Sequence, residues 1–362
     1  MQTALAVAAL CAAFAAAPQQ DPGSAPAPAP PAPAEPRTAA VPQPSPEPEP
    51  APKITDKLKT DAASLTPIMS SSLARDFLAA TARLAEPAPR TVYRNRERGT
   101  AVSARDFESM SADARAGFTA RECSPEFYFE TGYGSPLVYA RVLDLAAPHL
   151  AKDARPKVLD YGYGSIGQLQ LLAHCGFDAQ GVDIEPLFPA LYSEPGDTGP
   201  MGKGSVAIHT GRWPADEAIK GSIGGGYALI TSKNTLKNGY VHPSPPAGQT
   251  VDPKRLLQLG VGDAEFVAQV HAALNPGGVF VIYNICPPQN PPDKEYIPYA
   301  DGTSPFSREM LEKAGFEVLA FDARDEPWVL DCFERLGYSQ GKSREELAQD
   351  YFCWYTIARR RP

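Results

Sequence analysis

The sequence predicts an α/β fold built on a doubly wound, mostly parallel sheet, and three observations predict it. From residue 157 onward, short β-branched or aromatic runs alternate with amphipathic helical stretches, the pattern of parallel strands with helices on both faces. The first two runs each end in a carboxylate, Asp160 and Asp183, with a glycine-rich turn and a helix between them. Seven such runs follow one another in the chain.

Lys157–Asp160 is the first β-run. Gly162, Gly164 and Gly167 then turn the chain into a helix whose apolar residues are Ile166, Leu169, Leu172 and Ala173, and Gly176 ends it. Ala179–Asp183 is the second strand. Glycine lets a backbone approach a ligand without a Cβ, and the start of a helix offers free N–H donors. Asp183 lies about 20 residues past Gly162, where an acid at a strand end accepts hydrogen bonds from ribose hydroxyls. The unit as a whole points to an adenosine-type ligand. Further strands are expected at Val206–His209, Tyr227–Ile230, Val279–Tyr283 and Phe316–Ala320, and Tyr351–Ile357 is the seventh. Asp263 is expected to cap a helix bearing Phe266, Val267, Val270 and Leu274 on one face, stopped by Asn275-Pro-Gly-Gly278. Ser307–Ala314 reads as another amphipathic helix, ended by Gly315.

Upstream the organisation changes. Residues 4–17 form an uncharged apolar stretch of the length of a signal-peptide core, with Ala13 and Ala15 as a small-residue cleavage site, so residues 1–17 are expected to be a signal peptide. The chain holds 39 Pro, many of them before residue 53, which makes residues 18–52 an Ala/Pro-rich, disordered linker. Residues 53–125 are expected to form a helical N-terminal extension or lid. Leu73, Phe77, Ala80 and Leu84 recur at helical spacing over residues 70–85, and Ser103 and Ser111 are N-cap candidates for short helices at about 104–110 and 112–119. Between them, Arg90–Arg98 carries four arginines and reads either as a solvated strand or turn or as an anion-binding lid. The loop Phe127–Pro136, with two glycines beside aromatics, leads into a helical run from Leu137 to Ala147 and either closes over a ligand or packs that helix on the sheet.

Composition excludes several classes. Lys and Arg number 34 against 42 Asp and Glu, a net charge of −8, so broad electrostatic binding to nucleic acid is not expected. No apolar run approaches the roughly 20 residues of a spanning helix. Beyond Cys11, five cysteines are widely spaced with no C-x-x-C, and the five histidines are scattered, so neither a disulfide framework nor a metal site is expected. No specific protein partner is readable.

Residues 157–167 and 181–185 resemble the first glycine motif and the acidic element that follows it in class I S-adenosylmethionine-dependent methyltransferases. Leu274-Asn-Pro-Gly-Gly278 is similar to that family's L-x-P-G-G turn, and Ser307–Phe316 to its late helix, A-G-F and strand run. The resemblance covers roughly residues 130–360 and implies a Rossmann-like, seven-stranded methyltransferase domain over residues 126–362. It also implies S-adenosyl-L-methionine as cofactor. Asp160 would sit near the methionine end, Gly162 and Gly164 beneath the cofactor, Asp183 on the ribose and Ile184 against the adenine. Three features depart from the family pattern. Ile166 stands where a third glycine is usual, with Gly167 one place later; Arg212 stands where an acid near the adenine amine is frequent; and the N-P-P-Y motif of amino-group methylases is absent after the fourth strand. Lys233, Tyr240 and His242 fall where an acceptor pocket is expected, and His242 is the best placed as a general base.

The expected function is therefore methyl transfer to a small or medium-sized acceptor. Two alternatives stand beside it. An NAD(P)-dependent oxidoreductase also fits Gly162–Gly167, and a non-catalytic exported domain on the same fold fits the N-terminus. Location is in conflict: the export signal points to a periplasmic or secreted protein, whereas dependence on a cytosolic metabolite points to the cytoplasm.

Overall fold

The computed structural model describes residues 52–131, 134–151 and 156–361. The expected signal peptide, the expected linker up to residue 51, and Gly132 and Tyr133 of the aromatic loop lie outside the described residues.

Among the described residues eleven strands make two sheets. Arg90–Asn95 (β1), Thr100–Ser103 (β2) and Thr119–Cys123 (β3) form a small antiparallel sheet in the order β2-β1-β3. The main sheet contains Lys157–Tyr161 (β4), Asp178–Asp183 (β5), Gly199–Met201 (β6), Gly204–Thr210 (β7), Tyr227–Lys233 (β8), Leu274–Cys286 (β9), Phe316–Arg324 (β10) and Phe352–Arg360 (β11). Their order across the sheet is β6-β7-β5-β4-β8-β9-β11-β10. The five strands from β7 to β9 are mutually parallel, and β6 and β11 run antiparallel to their neighbours.

The doubly wound, mostly parallel α/β sheet is as expected, but it has eight strands, not seven. The extra one, β6, is a three-residue edge strand that hairpins onto β7. From β4 the chain steps to β5 and β7 on one side and then returns to β8 on the other. That reversal opens a crevice at the carboxyl ends of β4, β5 and β8, the place where sheets of this kind bind ligands.

Strand alternation divides the core. Val158 and Leu229 join one apolar cluster and Leu159, Ile230 and Phe280 the other, so both faces of the sheet are covered. The N-terminal segment belongs to the first cluster. The helix Ile54–Leu65 buries Ile54, Leu58, Ala62 and Leu65, one stripe at helical spacing, and Ser72–Ala79 adds Ala74, Phe77 and Leu78.

Residues 53–125 are thus helical only in part, because the small sheet interrupts them. Ser103 and Ser111 cap short helices as expected, each accepting a hydrogen bond from the backbone N–H of the third residue of its helix, Asp106 and Ala114. The second helix stops at Arg115, short of the expected 119, since Gly117 at φ +81° turns the chain into β3. The arginine-rich segment is β1 and the turn that follows it, which holds Arg96 and Arg98. Arg90 and Arg94 pair with Asp197 and Glu185, so two of its four charges are neutralised within the fold. Asp263 does not cap its helix: Gly262 holds that position, and the Asp263 carboxylate faces His242 at 2.7 Å instead. Among the described residues no helix is long and apolar enough to cross a membrane.

Candidate functional site

The crevice at the strand tips encloses about 200 Å³. Its sheet side is lined by Gly162, Asp183 and Ile184, with Gly211 and Arg212 beyond β7. The rest of the lining comes from short helical turns and loops distant in sequence, with Tyr240, Leu256, Leu257, Pro298 and Tyr299 among its residues. Leu257 N–H donates to the Tyr240 carbonyl at 3.0 Å, which ties two parts of that lining together.

Asp183 stands at the tip of β5. Its Oδ1 accepts from Glu185 N–H at 3.0 Å and its Oδ2 from Gly164 N–H at 3.3 Å. Burial nevertheless pushes the carboxyl up to about 6, with those backbone donors acting against the rise and the Glu185 charge adding to it. Ile184, next in the chain, is 55% exposed, and among the described residues it is the one large apolar side chain left so open. An acid with acceptor capacity left over, beside an uncovered apolar side chain, offers hydrogen-bond acceptance and apolar contact at one place.

Gly162 lines the crevice and is also tightly packed against Thr235. It has φ +72°, and a Cβ built there would lie 2.3 Å from Thr235 Oγ1 and 2.7 Å from Thr235 Cβ. Thr235 Oγ1 donates to the Gly162 carbonyl at 3.2 Å. Glycine is required here by the side chain packed on it as well as by its own torsion. Gly162→Ala is therefore expected to destabilise the protein by about 3 kcal/mol, from the overpacking and the left-handed backbone together. Thr235→Gly in the same chain should restore roughly half of that, since it relieves the contact but not the torsion. Urea unfolding midpoints decide the matter; equal loss with and without Thr235 would place the whole effect in the backbone.

The shifted glycine has a packing reason. Ile166 is fully buried, whereas a Cβ on Gly167 would meet Pro136 Cγ at 2.9 Å and the Phe129 carbonyl at 3.2 Å. The position where the helix approaches the Phe127–Pro136 loop is 167, so that is where the side chain is missing.

Asp160 is fully buried at the end of β4. Its Oδ2 accepts from Gln168 Nε2 at 3.0 Å, while Oδ1 has no hydrogen-bond partner among the described residues. Burial raises its carboxyl to about 6 against the opposing influence of Gln168, Tyr139 and Lys233.

The three acceptor-side candidates part company. Tyr240 lines the crevice. Lys233 lines a smaller adjoining pocket. His242 lines neither; it is 45% exposed in its side chain and paired with Asp263. Residues that the sequence reading passed over are Tyr161, Asn234, Thr235 and the Leu256–Leu257 and Pro298–Tyr299 walls. Asn234 alone carries a local mark, φ +62° at the strand tip, with Oδ1 accepting from Ile285 N–H at 2.7 Å.

No protein-family model matches the chain, and no curated protein matches it. Solved structures are similar. One is phosphoethanolamine N-methyltransferase 2 of Haemonchus contortus in complex with S-adenosyl-L-methionine, 14% identical over 65% of this chain and 56% of that one, at a TM-score of 0.36. Another is a TehB-like SAM-dependent methyltransferase from Corynebacterium glutamicum, 18% identical over 60% of this chain and 84% of that one, at a TM-score of 0.29. A third is the [4+2]-cyclase SpnF, 16% identical over 61% of this chain and 80% of that one, at a TM-score of 0.37.

Proposed function

We propose that this chain, which resembles class I S-adenosylmethionine-dependent methyltransferases, binds S-adenosyl-L-methionine in the crevice and transfers its methyl group to a small-molecule acceptor. The observation that carries the reading is the pairing of Asp183 with the exposed Ile184 at the point where the strand order reverses. The residues fit the group. Asp183 holds the ribose hydroxyls and Ile184 and Leu257 cover the two faces of the adenine, while Asp160, fully buried at the end of β4 and outside the lining of both pockets, adds negative charge from behind the other end.

When bound, the cofactor supplies an electrophilic methyl on a sulfonium, so the chain need only align donor and acceptor and keep water out. Tyr240, Leu257 and Tyr299 make the apolar wall that does this. The small sheet and the N-terminal helices act as a fixed cover beside Glu185, to which Arg94 ties them. Titration of the full chain with S-adenosylhomocysteine in a calorimeter is expected to give a micromolar dissociation constant, and NAD no heat. Heat with NAD and none with the thioether nucleoside would transfer the crevice to a nicotinamide cofactor.

A further inference from the structure

A second pocket of about 30 Å³ adjoins the crevice, and Gly162, Asn234 and Thr235 line both. Asn234 stands just past β8 and is 8% exposed. Its Oδ1 accepts from Ile285 N–H at 2.7 Å. A backbone N–H can only donate, so the orientation of this amide is fixed and its Nδ2 end is the one left over. Among the described residues that Nδ2 has no hydrogen-bond partner. Thr235 commits its hydroxyl proton to the Gly162 carbonyl at 3.2 Å, which leaves only a weak neutral acceptor beside the amide. The strong polar group at the joint of the two pockets is therefore a donor. Charge has the same sense. Among the described residues that line the pockets, Arg212, Lys233, Lys254 and Arg255 are cations and Asp183 is the one carboxylate. Arg255 pairs with Glu295, and each Asp183 oxygen accepts a backbone N–H. Neither lining includes a histidine among the described residues.

We propose that the methyl acceptor is a small carboxylic acid, bound as its carboxylate with one oxygen on Asn234 Nδ2 and methylated on that group. The inference rests on the reading of the crevice as an adenosyl site. Three arguments agree. A nearly buried amide N–H without a partner is satisfied by an acceptor oxygen and left unsatisfied by an ammonium. The excess of cations in the lining draws in an anion and repels an amine protonated at neutral pH. A carboxylate has no proton to lose at neutral pH and so needs no general base, whereas an alcohol, a phenol or an ammonium does. That agrees with a lining without histidine and with His242 held outside it by Asp263. The step balances without a proton transfer. A carboxylate lone pair forms the new O–C bond as the S–C bond breaks, and that bond's electron pair stays on sulfur. The sulfonium and carboxylate charges cancel, leaving a methyl ester and a neutral thioether. The apolar wall of Tyr240, Leu257 and Tyr299 favours such a step, because it keeps out the water that would stabilise the charges being consumed.

The test compares phenylacetate, phenylacetamide and phenethylamine, alike in size and different in the polar end, on the full chain saturated with S-adenosylhomocysteine. In ligand-observed NMR titrations phenylacetate is expected to bind at least about tenfold more tightly than phenethylamine, the usual strength of a charge-assisted hydrogen bond, with the amide between them. In Asn234→Asp one oxygen still accepts from Ile285 N–H and the other replaces the donor. At about pH 8, where that carboxyl is ionised, the preference should reverse, with the affinity for S-adenosylhomocysteine held within roughly threefold. Equal or weaker binding of phenylacetate by the unmodified chain overturns the proposal. So does a preference unaltered in Asn234→Asp, a uniform loss of all four ligands in that variant, or N-methylation of phenethylamine when S-adenosyl-L-methionine is supplied. Failure of S-adenosylhomocysteine itself to bind the unmodified chain removes the adenosyl reading, a distinct result under which this inference falls as well.

Discussion

Replacing Asp183 with alanine is expected to weaken binding of S-adenosylhomocysteine about 100-fold. The carboxylate already accepts from the Glu185 and Gly164 backbone, one donor on each oxygen, and each oxygen retains a lone pair at the rim of the crevice. Two ribose hydroxyls donating to a charged acceptor contribute roughly 3 kcal/mol net, which is about two decades in affinity. Asp183→Asn, which keeps the shape and loses the charge, should fall between the two. Unchanged calorimetry in the alanine variant would mean that the nucleoside lies elsewhere.

The same residue sets a pH dependence of definite sign. Binding needs the carboxylate, and burial holds Asp183 at about 6. Affinity should therefore be flat at neutral pH and fall as the pH drops through 6, up to about tenfold per unit. Stability should move the other way. Asp160 and Asp183 both sit near 6 in the folded chain, above the roughly 3.9 of an unfolded aspartate, so between those limits the folded state holds more protons. Their contribution to stability thus rises on acidification across that window. Glu185 and Lys233 are the charged neighbours that act on this pair, and in Asp183→Asn the remaining pH dependence of binding belongs to Asp160.

The parts of this site that were legible in the sequence are those whose residues obey a local rule. A strand that ends in an acid, turns on glycine and starts a helix announces itself within about 30 residues; Gly162, Gly164, Asp183 and Ile184 line the crevice or its adjoining pocket at two adjacent strand tips, with Asp160 buried behind them. Leu256 and Tyr299 could not be read that way. They reach the crevice from a bend and from the one-turn helix Pro298–Ala300, segments too short to show a period. His242 illustrates the converse. It falls in the right stretch after β8, yet Asp263, 21 residues downstream, holds its ring beyond the lining of the crevice. The strands that escaped notice share a cause as well. Gly199–Met201 contains a glycine and a proline, and Thr119–Cys123 is mostly exposed, so neither shows a run of alternating apolar residues.

Arg90→Ala is expected to lower the melting temperature by roughly 10 °C, because it breaks a largely buried ion pair and leaves the acid behind, a change that costs about 3–5 kcal/mol. Arg90 donates from both terminal guanidinium nitrogens to Asp197, at 2.6 and 2.8 Å, and lies 4.7 Å from the centre of the Tyr128 ring. Tyr128 Oη donates to the same carboxylate at 2.8 Å and accepts from Gln170 Nε2 at 2.8 Å. One acid, 3% exposed, thereby joins the first residue of β1 to the helices Pro125–Glu130 and Gly167–His174, the second of which begins at the glycine turn of the site. With the arginine gone, Asp197 keeps the Tyr128 hydroxyl and the Glu194 N–H, so the main sheet should hold while the small sheet opens first. Hydrogen exchange should then accelerate across β1–β3 well before it does in β4, β5 and β8. In the pair Arg90→Met and Asp197→Leu, the combined loss should be smaller than the sum of the separate ones, since no buried charge is left unpaired. Strict additivity, or a melting temperature within about 2 °C of the parent for Arg90→Ala, would show that the apolar contacts of the small sheet are enough to seat it.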